Sequence, residues 1–414
     1  MPKLPTHNAL AALQYPPFRT YIFSRFFFIL VLNMQATLLS WTVYDITHDP
    51  FSIGLTGLIE FGPAFAMAFY SGHVIDRSDK RDLLLYSMIG NLFVTATLTF
   101  VTSAYSALHF PDLLRLGLIY SMSFCTGILR AFSGPTSFAL VSHLVPKDKL
   151  PSAITWHSGT WQVAAVSGPA LGGLLYGWIG ITPTFLLMLS CLLLAVVAAF
   201  FLPAQPPLAP AREETVAQSI KQGFRFVWRT REVLGALSLD LFAVFFGGAT
   251  ALLPYISDVI LQSGPKGLGI LRSAPALGGV AVMLLLTLRP LKRAQGRAML
   301  WCVAAFGIFT IAFGLSRSFW FSFLMLFLSG LVDGISVIVR STVLQMKTPD
   351  EMRGRVASLN SIFIMSSNEL GAFESGFTAK LMGVVPAIVF GGCMTLAVTI
   401  ITWFKAPTLR DLEY

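Results

Sequence analysis

The sequence predicts an all-α membrane protein with twelve transmembrane helices in two six-helix halves. Of the 414 residues, 55% are hydrophobic and only 12% are charged, about half the charged fraction of a typical soluble domain. The apolar residues form runs of the ~20 residues that a helix needs to cross a bilayer. These runs disfavour a large soluble core. The short alternating segments of an outer-membrane barrel are absent from the sequence.

Twelve apolar runs can be placed along the chain. They lie at 20–44, 51–71, 83–104, 113–138, 153–178, 183–202, 234–261, 267–288, 298–316, 319–344, 356–381 and 384–404. The first run is too long for the apolar core of a signal peptide and has no small-residue cleavage site, so we expect it to be a retained span.

A proline-rich segment at 203–210 separates the sixth run from the seventh, because proline cannot continue a helix. Residues 213–231 mix aromatic and basic side chains, which is typical of a helix lying on a membrane surface. We therefore predict an N-terminal half at 1–202, a cytoplasmic linker with an interfacial helix at 203–231, and a C-terminal half at 232–414.

The net charge of +9 does not indicate nucleic-acid binding, because the basic residues recur in short loops between apolar runs. Basic loops mark the cytoplasmic side of a membrane protein. The predicted outer loops contain only Lys266, Arg317 and Lys380, and most other basic residues fall in predicted cytoplasmic segments. The charges predict a multi-pass membrane protein with both termini in the cytoplasm.

No cofactor, metal site or enzymatic activity is predicted. The four cysteines lie in apolar runs without CxxC spacing, and the six histidines are scattered along the chain. No phosphate-binding glycine loop is present, which disfavours ATP as an energy source.

The two halves carry a weak internal repeat. The residues that recur at one constant offset are Pro146, Gly168 and Gly173 in the first half and Pro349, Gly371 and Gly376 in the second. Parallel repeats of six spans are known from transporters.

Three motifs resemble those of the major facilitator superfamily. Residues 72–81 match its loop motif after span 2 at Gly72, Asp76, Arg77, Lys80 and Arg81, with Asp79 where that family has glycine. Residues 130–134 resemble its span 4 motif, and residues 168–173, Gly-Pro-Ala-Leu-Gly-Gly, resemble its antiporter motif in span 5. Residues 43–47, 271–276 and 348–356 are similar to an enterobactin-exporter-like branch, which also includes drug:proton antiporters.

The resemblance implies alternating access, with the loop motif closing the cytoplasmic side as a latch. Gly72 and Asp76, four residues apart, are assigned to this latch. The Asp76 carboxylate is expected to face a helix N-terminus, where the helix dipole stabilises negative charge by ~0.3–1 kcal/mol. For Arg77 and Arg81 a simple role in setting the topology is an equally good explanation.

The span 5 motif is expected to let this helix bend and pack closely, because proline removes a backbone donor and glycine permits close contact. The resemblance assigns Gly168, Pro169, Gly172 and Gly173 to gating or leak prevention. Generic helix packing is the alternative.

Charges inside the apolar runs are the strongest candidates for function. A carboxylate at the centre of a bilayer costs at least ~2.5–3.5 kcal/mol on insertion scales, so it must be paired, hydrated or protonated. Glu60 and Glu369 are the first candidates for proton coupling, followed by Asp333 and Glu374, and Arg130 is their expected cationic partner. A structural ion pair is the alternative.

Other polar residues in the spans receive weaker assignments. Asn33, Gln35 and Gln162 are candidates for lining a substrate cavity, with interhelical hydrogen bonds as the alternative. Arg25 and Arg340 lie near predicted cytoplasmic span ends and are expected to extend to the membrane surface.

The expected function is proton-coupled export of a small amphipathic or siderophore-like compound by a monomer in the lipid bilayer. A lysophospholipid flippase, a proton-coupled uptake symporter and a membrane sensor without flux remain alternatives. The expected partners are the small-molecule substrate, protons and the bilayer.

Overall fold

Every regular element in the described part of the chain is a helix. The computed structural model describes residues 11–205, 216–288, 295–349 and 352–413. The long helices, labelled α1 to α12, are Pro16–Thr47, Pro50–Arg77, Lys80–Val101, Asp112–Leu144, Leu150–Ile179, Ile181–Phe200, Arg231–Phe246, Gly264–Leu288, Gln295–Gly314, Phe319–Lys347, Arg353–Met382 and Val384–Lys405. A further helix, Val216–Arg229, precedes α7 and is called the linker helix.

Ten segments in the described residues are long and apolar enough to cross a membrane. The other two long helices, α5 and α11, have 30 residues each and are not among these ten segments. Both pack inside the bundle, α5 against α1 and α8, and α11 against α2 and α7. Composition therefore supports ten of the twelve predicted spans, and α5 and α11 remain predicted spans.

Capping residues set the beginnings of two helices. Asp49 accepts a hydrogen bond from the Phe51 N–H (3.1 Å) at the beginning of α2. Asp79 accepts one from the Arg81 N–H (2.8 Å) at the beginning of α3, and its other oxygen accepts one from the Gln205 N–H (2.7 Å). An N-cap carboxylate satisfies backbone donors that have no partner within the helix. Asp79 thus has a capping role at the position where the superfamily motif has glycine.

The predicted span 7 is not one continuous α-helix. The α-helix ends at Phe246, a 3₁₀ turn follows at Ala249–Leu252, and a π-helical turn occupies Ile256–Ile260. A Cβ on Gly248 would lie 2.7 Å from the Gly371 carbonyl oxygen, so α7 is interrupted where its backbone touches α11. Glycine disfavours a continuous helix and permits this contact.

The repeated glycines make corresponding contacts in the two parts of the chain. A Cβ on Gly168 in α5 would lie 2.6 Å from the Asn33 Cβ in α1. A Cβ on Gly371 in α11 would lie 2.8 Å from the Phe245 carbonyl oxygen in α7. The contact of α5 with α1 is therefore repeated by that of α11 with α7.

The second glycine of each repeat joins the two predicted halves. A Cβ on Gly173 in α5 would lie 2.6 Å from the Gly269 Cα in α8, and one on Gly376 in α11 would lie 3.1 Å from the Gly54 Cα in α2. Each helix also ends at a glycine with positive φ, 88° at Gly180 and 91° at Gly383. The division into two halves at 1–202 and 232–414 remains a prediction.

The contacts between Gly173 and Gly269 and between Gly376 and Gly54 lie toward the loop end that the charges predict to face outward. At that end the Tyr44 hydroxyl donates to Asp258 Oδ2 (3.3 Å), and Lys380 Nζ lies 3.8 Å from Asp49 Oδ2. In the described residues, α4 and α10 make no extensive contact with helices of the opposite half. The halves are thus joined mainly toward the predicted outer end.

Candidate functional site

Three side chains singled out in the sequence meet between α2, α4 and α11. The Arg130 Nη1 group donates hydrogen bonds to Glu60 Oε1 (2.9 Å) and to Glu369 Oε1 (2.6 Å). Glu60 belongs to the N-terminal half and Glu369 to the C-terminal half, so one guanidinium links carboxylates across the interface. We call Glu60, Arg130 and Glu369 the charge triad.

Glycines allow the three helices to approach closely enough for these bonds. Gly127 lies one helical turn before Arg130, and a Cβ there would overlap the Glu60 carbonyl oxygen of α2. A Cβ on Gly57 would lie 3.3 Å from Glu369 Oε2. The backbone of α2 therefore lies against α4 on one side and against α11 on the other, which brings both carboxylates to Arg130.

Open space borders the charge triad. The Arg130 side chain is 45% exposed, although Arg130 lies far from both ends of α4. The side chains of Glu60 and Glu369 are 21% and 17% exposed. Water that enters this space can deliver a proton to either carboxylate. The bond that crosses between the predicted halves is the one from Arg130 to Glu369. Protonating Glu369 removes its negative charge and weakens this bond, so a single proton can change the connection between the halves.

A fourth charged residue, Arg272 in α8, was not recognised as a site candidate from the sequence. Its Nη1 group donates to Ser40 Oγ (2.7 Å) and to the Ala36 carbonyl (3.3 Å) of α1. Its charge interacts electrostatically with Glu60 and Glu369. Its described hydrogen bonds therefore go to α1 and not to the charge triad. The missed signal was a charge inside an apolar run, the same criterion that selected Glu60.

Asp333 and Glu374 lie outside the charge triad. Asp333 in α10 lines an internal cavity of about 70 Å³ together with Thr310 and Phe309. Glu374 Oε1 accepts a hydrogen bond from the Thr378 hydroxyl (2.8 Å) one turn later in α11. The structure therefore separates these two carboxyls from the pair that was ranked first.

The three predicted cavity residues have different surroundings. Gln35 is buried, and its Oε1 accepts a hydrogen bond from the Thr95 hydroxyl of α3 (2.9 Å). This is the interhelical hydrogen bond that was the alternative to a cavity-lining role. Asn33 Nδ2 donates within α1 to the Ile29 carbonyl (2.9 Å). Gln162 Nε2 donates to the Ala276 carbonyl of α8 (3.4 Å), so it joins the two halves. A cavity-lining role remains a prediction for Asn33 and Gln162.

The loop motif is only partly described. The Asp76 side chain lies outside the described part of the structure, and Arg77 is exposed. A Cβ on Gly72 would meet no atom within 4 Å. Arg81 donates to Asp82 Oδ1 (2.9 Å) and stacks over the Phe200 ring (5.3 Å), so its described contacts stay within the N-terminal half. The latch remains a prediction for Gly72 and Asp76.

The residues of the span 5 motif are buried at contacts with α1 and α8. Gly168 and Gly172 lie against α1 near Met34. Gly173 and the Pro169 carbonyl both lie against Gly269 of α8. The motif therefore occupies an interface between the two halves, where a gating role is possible in geometric terms.

The expectation that Arg25 and Arg340 extend to the membrane surface is wrong. Arg25 is 7% exposed and its Nη1 donates to the Ser137 hydroxyl (2.5 Å), while Arg340 is 3% exposed and forms an ion pair with Asp240 of α7. Both cations have polar partners inside the bundle. Arg340 is paired with a carboxylate, which avoids much of the cost of an isolated buried charge, and Arg25 is hydrogen-bonded.

Replacing Asp240 with asparagine is expected to destabilise the protein strongly, by about 3–5 kcal/mol, because it leaves the buried Arg340 charge uncompensated. Thermal unfolding of the purified protein in detergent measures this effect. The control is Glu232→Gln, which breaks a more exposed pair with Lys347 (3.3 Å) between the same two helices and should cost at most about 1 kcal/mol. Equal stability losses in the two variants would contradict the prediction.

Comparison with known proteins places this arrangement in a family. Residues 7–413 match the family model described as transmembrane secretion effector, of the major facilitator superfamily. The enterobactin exporters EntS of Shigella dysenteriae and Escherichia coli are each 24% identical to the chain over 402 residues, covering 96% of this chain and 94% of each exporter.

Solved structures show the same fold at low sequence identity. The D-xylose–proton symporter superposes with a TM-score of 0.75 at 11% identity, over 97% of this chain and 100% of that one. A POT family transporter in complex with 5-aminolevulinic acid gives a TM-score of 0.73 at 12% identity, over 95% of this chain and 97% of that one. The all-α fold predicted from the sequence is confirmed. The chain belongs to the transmembrane secretion effector family of major facilitator superfamily transporters.

Proposed function

We propose that the protein is a proton-coupled exporter of a small amphipathic or siderophore-like compound, and that the charge triad couples proton binding to the change of access. The single observation that carries this proposal is the Arg130 guanidinium, which bonds Glu60 of one half and Glu369 of the other. Alternating access requires the two halves to move relative to each other. A proton that competes with Arg130 for Glu369 would release one link between them.

The direction of transport is proposed from the relatives. The EntS proteins are named as enterobactin exporters and match almost the whole chain. Their name supports export, and it supports a siderophore-like substrate as the first compound class to test. The proposed setting is the bacterial inner membrane, with both termini in the cytoplasm and a monomer as the functional unit.

In that orientation the structure would be an inward-facing state. The close contacts between the halves lie toward the predicted outer end, at Gly54 and Gly376 and at Gly173 and Gly269. The exposed side of Arg130 would then be reached from the cytoplasm. A cytoplasmic substrate and the bound proton would meet in the same space, as an antiport cycle requires.

The test uses Glu60→Gln, Glu369→Gln and the double variant in proteoliposomes with an imposed pH gradient. We expect each single variant to lose proton-driven transport, because glutamine keeps the shape of the side chain but cannot release a proton. Substrate counterflow without a gradient should persist, since exchange needs no net proton movement. Enterobactin serves as the test substrate, and proton movement is recorded with a pH-sensitive dye.

Glu374→Gln is the matched control, because Glu374 lies five residues from Glu369 on the same helix and outside the charge triad. It should retain coupled transport. Full coupling in all three triad variants would refute the assignment. Substrate accumulation driven by an inward proton gradient, in the same direction as the protons, would instead establish uptake symport.

A further inference from the structure

The linker helix connects the two halves next to the helices that carry the acidic residues of the charge triad. It contacts α2, which carries Glu60, and α7 and α11, the latter of which carries Glu369. A Cβ on Gly223 would lie 3.1 Å from Leu359 Cδ1 and 3.3 Å from the Arg355 Cβ of α11, so glycine permits a close fit. The position of this helix is therefore tied to the arrangement of α2 and α11.

One face of the linker helix is buried against the bundle. Val227 is 2% exposed and packs in an apolar cluster with residues of α7, α10 and α11. The other buried members of that cluster are Val233, Leu237, Leu344, Val356 and Leu359. In addition, Arg355 donates a hydrogen bond to Gln222 Oε1. This face is a stable attachment and needs no further partner.

The other face combines exposed aromatic and cationic side chains. Phe224 and Trp228 are 48% and 65% exposed, and their rings stack with centroids 5.9 Å apart. Arg225 and Arg229 are exposed on the adjacent strip, one turn apart, and neither has an ion-pair partner among the described residues. Residues 216–229 contain no acidic side chain. This face is thus both amphipathic and uniformly positive.

We infer that this face of the linker helix is a binding surface for anionic phospholipids of the surrounding bilayer. An aromatic strip inserts at the boundary between headgroups and acyl chains, and arginine pairs with lipid phosphates. Basic residues close to a membrane surface are attracted to its anionic lipids. The positive-inside pattern predicts that the helix lies at the cytoplasmic leaflet, next to the beginning of α11 at Arg355.

Lipid bound at this face stabilises the present arrangement of α2 and α11. A ligand that binds one conformation stabilises that conformation by mass action, in proportion to its differential affinity. Because the linker helix contacts the helices of both acidic residues, the lipid composition is coupled to the conformation around the charge triad. This inference requires the membrane setting but not proton coupling, so it can fail or hold independently of the proposed function.

The experiment places the full-length protein in nanodiscs of phosphatidylcholine, with or without phosphatidylglycerol. We expect phosphatidylglycerol to raise the melting temperature and to slow hydrogen–deuterium exchange of the amides in residues 216–229. In Arg225→Gln/Arg229→Gln, both effects should fall by at least half. Raised salt should reduce them in the wild type, because it screens exposed charges. Inorganic phosphate added to phosphatidylcholine nanodiscs should have no effect, which separates a lipid from a free anion.

The matched control is Arg19→Gln/Lys405→Gln, which removes two exposed cations from the same predicted membrane side outside the linker helix. This variant should keep most of the phosphatidylglycerol effect. An undiminished effect in the Arg225 and Arg229 variant would overturn the inference. An equal loss in both variants would also overturn it, because the response would then report net charge and not this face. Neither measurement depends on transport.

Discussion

Arg130→Gln is expected to abolish proton-driven transport and to destabilise the protein at neutral pH. The substitution removes both hydrogen bonds that hold Glu60 and Glu369 (2.9 and 2.6 Å) and leaves two carboxylates facing each other. A hydrogen bond to a charged group is worth about 1.5–3 kcal/mol, and the partial exposure of Arg130 places the expected loss toward the lower end. Thermal unfolding and proteoliposome transport measure the two effects.

The pH dependence of this variant distinguishes a charge effect from a loss of packing. Lowering the pH protonates one of the facing carboxyls and removes their repulsion, so the stability difference from wild type should narrow in acid. Arg115→Gln is the control on the same helix, because Arg115 pairs with the exposed Asp112 (2.9 Å) at the beginning of α4 and should contribute less than about 1 kcal/mol. A stability difference that stays constant with pH would contradict the electrostatic explanation.

The members of the charge triad and the pairing of a carboxylate with Arg130 could be predicted from the sequence, but the convergence of both carboxylates on Arg130 could not. Glu60, Arg130 and Glu369 each interrupt an apolar run, and the energetic cost of a charge in lipid makes such residues conspicuous. Their convergence depends on the packing of α2 against both α4 and α11, which Gly57 and Gly127 permit. These contacts join residues far apart in the chain, and no local pattern encodes them.

Other differences have physical causes of the same kind. Gln35 looks like a cavity residue in the sequence, and only the position of Thr95 on α3 shows that its amide oxygen accepts an interhelical hydrogen bond. Arg340 lies near a helix end, and only the register of α7 shows that Asp240 is its partner. Asp79 could have been recognised as a cap, because aspartate before a helix is a local signal. Tertiary partners, in contrast, require the fold.

Helix positions were more predictable, because bilayer thickness fixes the length of an apolar run. The observed helices follow the predicted spans closely, except where span 7 breaks after Phe246. That break coincides with a backbone contact between Gly248 and Gly371 of α11. The repeat was visible in only a few residues, yet those residues are the ones that make corresponding interhelical contacts.

Gly173→Ala is expected to disrupt the contact between the two halves at α5 and α8. The added Cβ would lie 2.6 Å from both the Gly269 Cα and the Pro265 carbonyl oxygen, closer than a real Cβ approaches such atoms. Because both neighbours are backbone atoms, the helices themselves must separate. We expect a loss of about 1–3 kcal/mol from overpacking. The predicted outer end should also open, seen as faster labelling of a cysteine introduced at Tyr176.

Gly159→Ala in the same helix is the matched control, because a Cβ there would meet no atom within 4 Å. Alanine in a helix interior is more favourable than glycine by about 0.5–1 kcal/mol, so this variant should be neutral or slightly more stable. The internal repeat leads to a second expectation. A Cβ on Gly376 would lie 3.1 Å from the Gly54 Cα and 2.9 Å from the Pro50 carbonyl oxygen of α2. Gly376→Ala should therefore open the same end as Gly173→Ala. If only one of the two substitutions opened it, the two interfaces would not act as a symmetric pair, and closure would depend on a single interface.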